Sequence, residues 1–145
     1  TIWGNELLLS RMVQNLIDNA YKYGRKDGHI YVSLCLTGQA LGSQTAEDTG
    51  TGSAHGLASS EELLLTVADD GIGISGEDAG KVFERFFRGD TSRSREGGET
   101  AGNGLGLSMV EQIARVHSAE VSVESRPGEG STFFVRFSNE ALIFE

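Results

Sequence analysis

Three polar side chains recur along one side of a predicted helix near the start of the chain. Asn15, Asn19 and Lys22 are spaced so that they share one helical stripe, separate from the apolar stripe of the same helix. A carboxamide oxygen is a hard ligand for Mg²⁺, which keeps water and substrate phosphates as its other ligands. Lys22 can neutralise phosphate charge. The stripe therefore predicts a floor for magnesium and phosphate, with an ordinary polar helix face as the alternative.

A second group of residues lies where an apolar strand ends. Asp69 and Asp70 follow this strand and precede a turn that contains Gly71 and Gly73. A buried carboxylate is costly unless it accepts hydrogen bonds. The amino group of adenine is a suitable donor, and such a charge-assisted bond contributes about 1.5–3 kcal/mol. The glycines would let the backbone approach a purine ring, although an ordinary Asp-Gly turn explains the same residues.

A third group consists of glycines immediately before a helix. Gly102, Gly104 and Gly106 would expose backbone N–H groups at a helix N-terminus, where the helix dipole favours anions. The preceding segment contains several arginines that could fold over a triphosphate: Arg85, Arg88, Arg93 and Arg95. The alternative is a solvated mobile loop. A fourth motif, the glycine turn before Ser131 and Thr132, is a weak site signal and by itself indicates a plain hairpin.

Composition narrows the classes of function. The 145 residues suffice for one domain, and the net charge of −9 argues against a nucleic-acid surface. The 20 glycines against a single proline indicate loops that move or approach a ligand closely. The single Cys35 cannot form an internal disulfide, and no apolar run approaches the roughly 20 residues of a membrane span. We expect no signal peptide and take the chain to be a piece of a longer protein.

The pattern of elements predicts an α/β sandwich with a mixed sheet and helices over one face. The predicted elements are a helix over 5–23, a strand over 29–36, a long flexible connection over 37–60, a strand from Glu62 to Asp69, a short helix over 78–87, a helix from Leu105 to His117, and two strands, Glu120–Glu124 and Thr132–Phe137, joined as a hairpin. Helices and strands in this order do not form regular βαβ units.

The order and spacing of the four motifs are more specific than any one of them. From about Asn5 to Phe137 the chain resembles the catalytic ATP-binding domain of bacterial sensor histidine kinases. That domain belongs to the ATPase superfamily shared with DNA gyrase, mismatch-repair ATPases and a heat-shock chaperone. The stretch VFERFFRGDTSRSR resembles the kinase-specific segment. The resemblance implies a Bergerat-type fold as a single domain over 1–145, with an ATP lid over 88–104 and a flexible insertion over 37–60.

The resemblance also implies roles for the polar residues. Asn19 would hold Mg²⁺, with Asn15 beside it. Lys22 would contact phosphate, Tyr23 would help to wall the site, and Arg88 would reach phosphate from the lid. Asn15, Lys22 and Arg88 are the residues expected to support the reaction. The expected cofactors are ATP and Mg²⁺.

At the adenine side, Asp69 would accept from the adenine amino group, and either Thr132 or Ser131 would lie near it. The remaining residues implied to bind nucleotide shape the adenine pocket or hinge the lid: Gly71, Gly73, Ile74, Gly102, Gly104, Leu105, Gly106 and Leu107. One departure from the family is Asp70, where members commonly have asparagine. It adds charge near the mouth of the pocket and leaves Asp69 in place.

One position bears on the reaction. In the hydrolysing relatives, a glutamate one helical turn before the metal asparagine activates water, whereas this chain has Asn15, which cannot act as a base near neutral pH. This favours holding ATP for an external nucleophile, since phosphoryl transfer depends on positioning and charge stabilisation. None of His29, His55 and His117 lies in the family's acceptor motif. The acceptor is therefore expected on a separate dimerisation domain.

The resemblance implies a wider setting and leaves alternatives. The isolated domain is expected to be a monomer, and the full-length kinase a homodimer that passes phosphate to a response regulator. We expect a cytoplasmic domain, and the sequence leaves open whether the parent is anchored in a membrane. The alternatives are a degenerate nucleotide- or partner-binding module and a gyrase-like ATPase. A dinucleotide-binding enzyme is disfavoured, because Asp69 and Asp70 before the Gly71–Gly76 motif would repel pyrophosphate.

Overall fold

The computed structural model describes residues 1–38, 61–88 and 104–142. Most of the predicted insertion and most of the predicted lid lie outside these residues. So do four positions named above: His55, Arg93, Arg95 and Gly102.

The first helix, α1, spans Glu6–Tyr23 and confirms the predicted helix. Asn5 caps it, because its side chain accepts a hydrogen bond from the Leu8 amide at 3.1 Å. Met12, Leu16 and Ala20 recur every four residues and are buried. This spacing fixes which face of α1 points to the sheet and leaves the Asn15, Asn19 and Lys22 stripe to one side.

Four strands form one sheet in the order β1-β2-β4-β3. They are β1 Ile30–Gly38, β2 Glu61–Asp69, β3 Ala119–Arg126 and β4 Gly130–Phe137. The sequence predicted a mixed sheet, whereas all three pairings between the described strands are antiparallel. The short turn between β3 and β4 explains one of these pairings, because parallel neighbours need a crossover of a dozen or more residues.

The helices cover one face of this sheet. Besides α1, they are α2, Gly76–Ala79, and α3, Gly106–Val116. Alternate residues of β2 and β4 point to this face and are buried, with Val67, Phe133 and Val135 fully enclosed. α3 contributes Val110 and Ile113 to the same core. The arrangement confirms the predicted α/β sandwich.

Two predicted boundaries are wrong. The helix predicted over 78–87 is only the four-residue α2, and turns follow it. The Ser75 side chain accepts a hydrogen bond from the Asp78 amide at 3.2 Å, so the helix starts at Gly76. Phe86 adopts a left-handed φ of 63° that a helix cannot contain. At the other boundary, β1 continues through Thr37 and Gly38, which were assigned to the insertion but pair with β2.

Candidate functional site

A buried carboxylate ends β2. Asp69 is only 7% exposed, and its side-chain Oδ1 accepts a hydrogen bond from the Gly71 amide at 2.9 Å. Burial raises the pKa of the Asp69 carboxyl, hydrogen bonds from the Gly71 and Ser131 backbone lower it, and the charge of Asp70 raises it further; the net direction is upward. The carboxylate is therefore fixed in orientation at the end of the sheet.

The strand register distinguishes Ser131 from Thr132, the two hydroxyl residues that the sequence left as alternatives beside Asp69. Asp69 lies opposite Ser131, and Ala68 lies opposite Thr132. Because side chains alternate between the faces of a sheet, Ser131 shares the helix-covered face with Asp69 and Thr132 lies on the other face. Ser131 is buried. The structure therefore places Ser131, and not Thr132, beside Asp69.

The glycine turn after β2 is locked against two other segments. A Cβ atom on Gly71 would lie 2.1 Å from the Tyr23 carbonyl oxygen. Gly73 has a φ of 70°, and a Cβ atom there would lie 2.0 Å from the Arg126 carbonyl oxygen. The Ile72 amide donates to the Tyr23 carbonyl at 3.1 Å. The sequence assigned these glycines to a purine; in the structure they let the protein's own backbone approach.

A serine that the sequence did not single out connects this turn to the hairpin. Ser125 Oγ accepts from the Ile74 amide at 2.7 Å and donates to the Gly130 carbonyl at 2.8 Å. It also lies 2.9 Å from Ser131 Oγ. The available signal was its inward position on β3, directly opposite Ser131. Through Ser125, Ile74 is held at the same end of the sheet as Asp69.

The α1 stripe forms a second part of the site. Asn15, Asn19, Lys22 and Tyr23 are all half-buried on this helix. The Asn15 amide nitrogen is fully buried and has no hydrogen-bond partner among the residues that the structure describes. The Lys22 ammonium lies 5.1 Å from the centre of the Tyr23 ring, close enough for a cation–π contact.

Arg88 and the start of α3 form a third part. The Arg88 Nε atom is buried and unpaired within residues 1–38, 61–88 and 104–142. Gly104 accepts a hydrogen bond from the Phe86 amide at 3.0 Å, and its φ of 70° suits glycine. This contact brings the segment before Arg88 to the N-terminus of α3, where Gly106 and Leu107 form the first turn after Leu105. No acidic residue lies in that turn.

These parts are connected through α1. Its C-terminal residue Tyr23 binds the turn that follows Asp69, and its body packs against α3. Asp69 supplies a buried acceptor, and Asn15 and Arg88 supply buried donors. The two unpaired atoms, on Asn15 and Arg88, are both donors, which suits phosphate oxygens. Among the described residues no cluster of three or more His, Cys, Asp or Glu could hold a metal.

Comparison with known proteins agrees with this geometry. The family described as "Histidine kinase-, DNA gyrase B-, and HSP90-like ATPase" matches residues 4–141. The chain belongs to this family. It is an ATP-binding catalytic domain of the kind found in two-component sensor histidine kinases.

Two relatives illustrate the match. The sensor-like histidine kinase SenX3 of Mycobacterium tuberculosis is 36% identical over 132 residues, which are 91% of this chain and 26% of that protein. The sensor histidine kinase RppB of Synechocystis is 35% identical over 135 residues, 92% of this chain and 24% of that protein. The chain thus spans about a quarter of the length of these relatives.

Solved structures show the same fold. The mycobacterial sensor histidine kinase MprB is 26% identical, with a TM-score of 0.62 over 93% of this chain and 72% of that one. Full-length ShkA, solved in complex with AMPPNP, is 23% identical, with a TM-score of 0.63 over 94% of this chain and 22% of that one.

In the described part of this chain, no helix is both long and apolar enough to cross a membrane.

Proposed function

We propose that this domain positions Mg²⁺-ATP for transfer of the γ-phosphoryl group to a histidine on a separate dimerisation and phosphoacceptor domain of the same kinase. Asp69 accepts from the adenine amino group. Lys22 and Arg88 contact phosphate, and Asn19 holds Mg²⁺ with Asn15 beside it. When bound, the cation neutralises charge on the phosphates. The start of α3 receives the phosphates at its N-terminus.

The observation that carries this proposal is the buried carboxamide of Asn15. It lies in the stripe one helical turn before Asn19, where a hydrolysing enzyme needs a base, and its amide nitrogen is a donor. Within α1 the acidic side chains are Glu6, in the first turn, and the exposed Asp18, which is bonded to Gln14 at 2.7 Å. The stripe can therefore bind and orient phosphate but cannot activate water.

The wider setting follows from the same proposal. The parent kinase acts as a homodimer, passes the phosphoryl group to a response regulator, and holds this domain in the cytoplasm, where ATP is available. The isolated domain is a monomer. These statements concern the whole parent protein. The chain itself spans about a quarter of the length of its relatives.

The test joins the domain to its own acceptor domain in the full-length parent. With γ-labelled ATP and Mg²⁺, we expect label on the acceptor histidine, and we expect Asn19→Ala to abolish it. Glu120→Gln, which changes an exposed residue of β3, serves as the control and should label like the wild type. Rapid ATP turnover by the isolated domain would indicate a gyrase-like ATPase. Nucleotide binding without any transfer in the full-length parent would indicate a degenerate module.

A further inference from the structure

Asp70, the residue that departs from the family pattern, binds a histidine 41 residues away. Its Oδ1 accepts a hydrogen bond from the His29 amide at 2.9 Å, and its Oδ2 lies 3.2 Å from His29 Nδ1. The His29 ring also stacks on Tyr31, with 6.0 Å between ring centres. One carboxylate thus contacts both the backbone and the side chain of His29.

The loop before His29 fits closely around this carboxylate. A Cβ atom on Gly28 would lie 2.4 Å from Asp70 Oδ1 and 3.0 Å from the Arg25 carbonyl oxygen. The Gly28 amide donates to that same carbonyl at 3.0 Å, which closes the loop. Any larger residue at position 28 would displace Asp70. The contact therefore depends both on Asp70 and on a glycine at position 28.

The loop joins two parts of the candidate nucleotide site. It begins at the end of α1, which carries Asn19 and Lys22. The Tyr23 carbonyl binds the turn after Asp69, and the Arg25 guanidinium donates to the Gly128 carbonyl in the hairpin. The contact between Asp70 and His29 is a further tie between the phosphate-binding helix and the end of β2.

The electrostatics of the pair agree with this contact. Hydrogen bonds from the His29 backbone and then its side chain lower the pKa of the Asp70 carboxyl below its ordinary value of about 4. The carboxylate is therefore held in its ionised form, which is the stronger acceptor for the His29 amide.

We propose that Asp70 and His29 are positioning residues for nucleotide binding, which tie the end of α1 to the adenine-binding turn. The inference rests on the proposed placement of nucleotide at Asn19 and Asp69. Both side chains are partly exposed, 67% for His29 and 41% for Asp70. Contacts between exposed polar side chains contribute little, so loss of this contact should weaken nucleotide binding about two- to fivefold.

The experiment is a calorimetric titration with a non-hydrolysable ATP analogue and Mg²⁺ at one fixed pH. The proteins are the wild type, Asp70→Ala, Asp70→Asn and His29→Gln, with Glu120→Gln as a control for the loss of one exposed carboxylate. We expect Asp70→Ala to bind about two- to fivefold more weakly than wild type, and Glu120→Gln to bind like wild type. His29→Gln keeps the backbone contact to Asp70 and should lie between them.

A second comparison separates positioning from folding. Asp70→Ala removes both contacts, whereas Asp70→Asn keeps an acceptor for the His29 amide and should restore most of the affinity. Gly28→Ala displaces the same carboxylate from the loop side and should resemble Asp70→Ala, with thermal unfolding confirming that each variant is folded. Wild-type affinity in both folded Asp70→Ala and folded Gly28→Ala would overturn this inference alone. Absence of nucleotide binding by folded wild type would overturn the proposed function as well.

Discussion

The proposed adenine end and the proposed phosphate end of the candidate nucleotide site differ in how their polar groups are satisfied. At the adenine end, Asp69 accepts from the Gly71 and Ser131 backbone, and Ser125 connects Ile74 with the hairpin. At the phosphate end, the Asn15 amide nitrogen and the Arg88 Nε are buried without a partner in the described parts of the chain. The polar groups of the adenine end are hydrogen-bonded to one another, whereas two donors of the phosphate end have no described partner.

This difference teaches what each end contributes. Hydrogen bonds within the adenine end belong to the fold, so this end is formed before any ligand binds. A buried donor without a partner costs about 1–3 kcal/mol, and an anion that accepts from it recovers this energy. Substitutions that break the backbone packing of the adenine end should therefore cost stability, and substitutions at the phosphate end should cost binding while leaving the fold intact.

The largest expected effect is on stability at the adenine end. Gly73→Ala forces a Cβ atom to within 2.0 Å of the Arg126 carbonyl oxygen at a left-handed φ. We expect the free energy of unfolding to fall by about 3 kcal/mol or more, measured by urea denaturation. Gly76→Ala is the matched control, because a Cβ atom there meets nothing within 4 Å. Equal stability of the two variants would mean that the glycine turn is not locked as described.

The next effect is on binding at the phosphate end. Asn19→Ala should weaken binding of an ATP analogue about tenfold in the presence of Mg²⁺ and leave it unchanged without the metal, because the carboxamide acts through the cation. Calorimetric titration measures both affinities. Gln14→Ala removes an exposed carboxamide from the same helix and should have no effect. A loss of affinity in Asn19→Ala that is the same with and without Mg²⁺ would argue against the metal role.

A smaller effect concerns the stability of the phosphate end. Asn15→Ala removes a buried donor without a described partner, so the free energy of unfolding should stay the same or rise by about 1 kcal/mol. Nucleotide affinity should fall in the same variant. Denaturant unfolding and titration of one preparation give both results. A clear loss of stability would show that Asn15 already has a partner in the folded domain.

The smallest effect distinguishes two neighbouring carboxylates by pH. The pKa of Asp69 is raised, so its ionised form costs stability that returns as the pH falls through the folded-state pKa, above the ordinary value of about 4. The pKa of Asp70 is lowered, so it stabilises the fold above that ordinary value and loses this effect below it. Between about pH 6 and pH 3, the stability of Asp69→Asn relative to wild type should fall, and that of Asp70→Asn should rise. Parallel curves would contradict the opposite shifts.

Much of the fold was predictable because its signals are local. The apolar spacing of Met12, Leu16 and Ala20 and the cap at Asn5 specify α1 within a residue. The helix prediction over 78–87 was wrong because the short apolar pattern of this segment resembles that of a helix. In the structure, the Phe86 amide instead donates to the carbonyl of Gly104, 18 residues away.

The sequence indicated residue types for the candidate site, whose binding roles stay predictions, and it indicated less of the geometry. Motif order indicated Asp69 and the α1 stripe. The choice between Ser131 and Thr132 depends on strand register, which shifts side chains to the opposite face with every residue. The contact of Asp70 with His29 joins residues far apart in sequence, and no local spacing reveals it.

The central claim is that Asp69 recognises the adenine of a bound nucleotide, and the most direct test compares wild type with Asp69→Asn. The folded proteins are titrated with an ATP analogue and with ADP in the presence of Mg²⁺. We predict that wild type binds both at micromolar to sub-millimolar levels and that Asp69→Asn binds both about ten- to a hundredfold more weakly. Equal affinity of the two proteins, or no binding by folded wild type at millimolar nucleotide, would contradict the account.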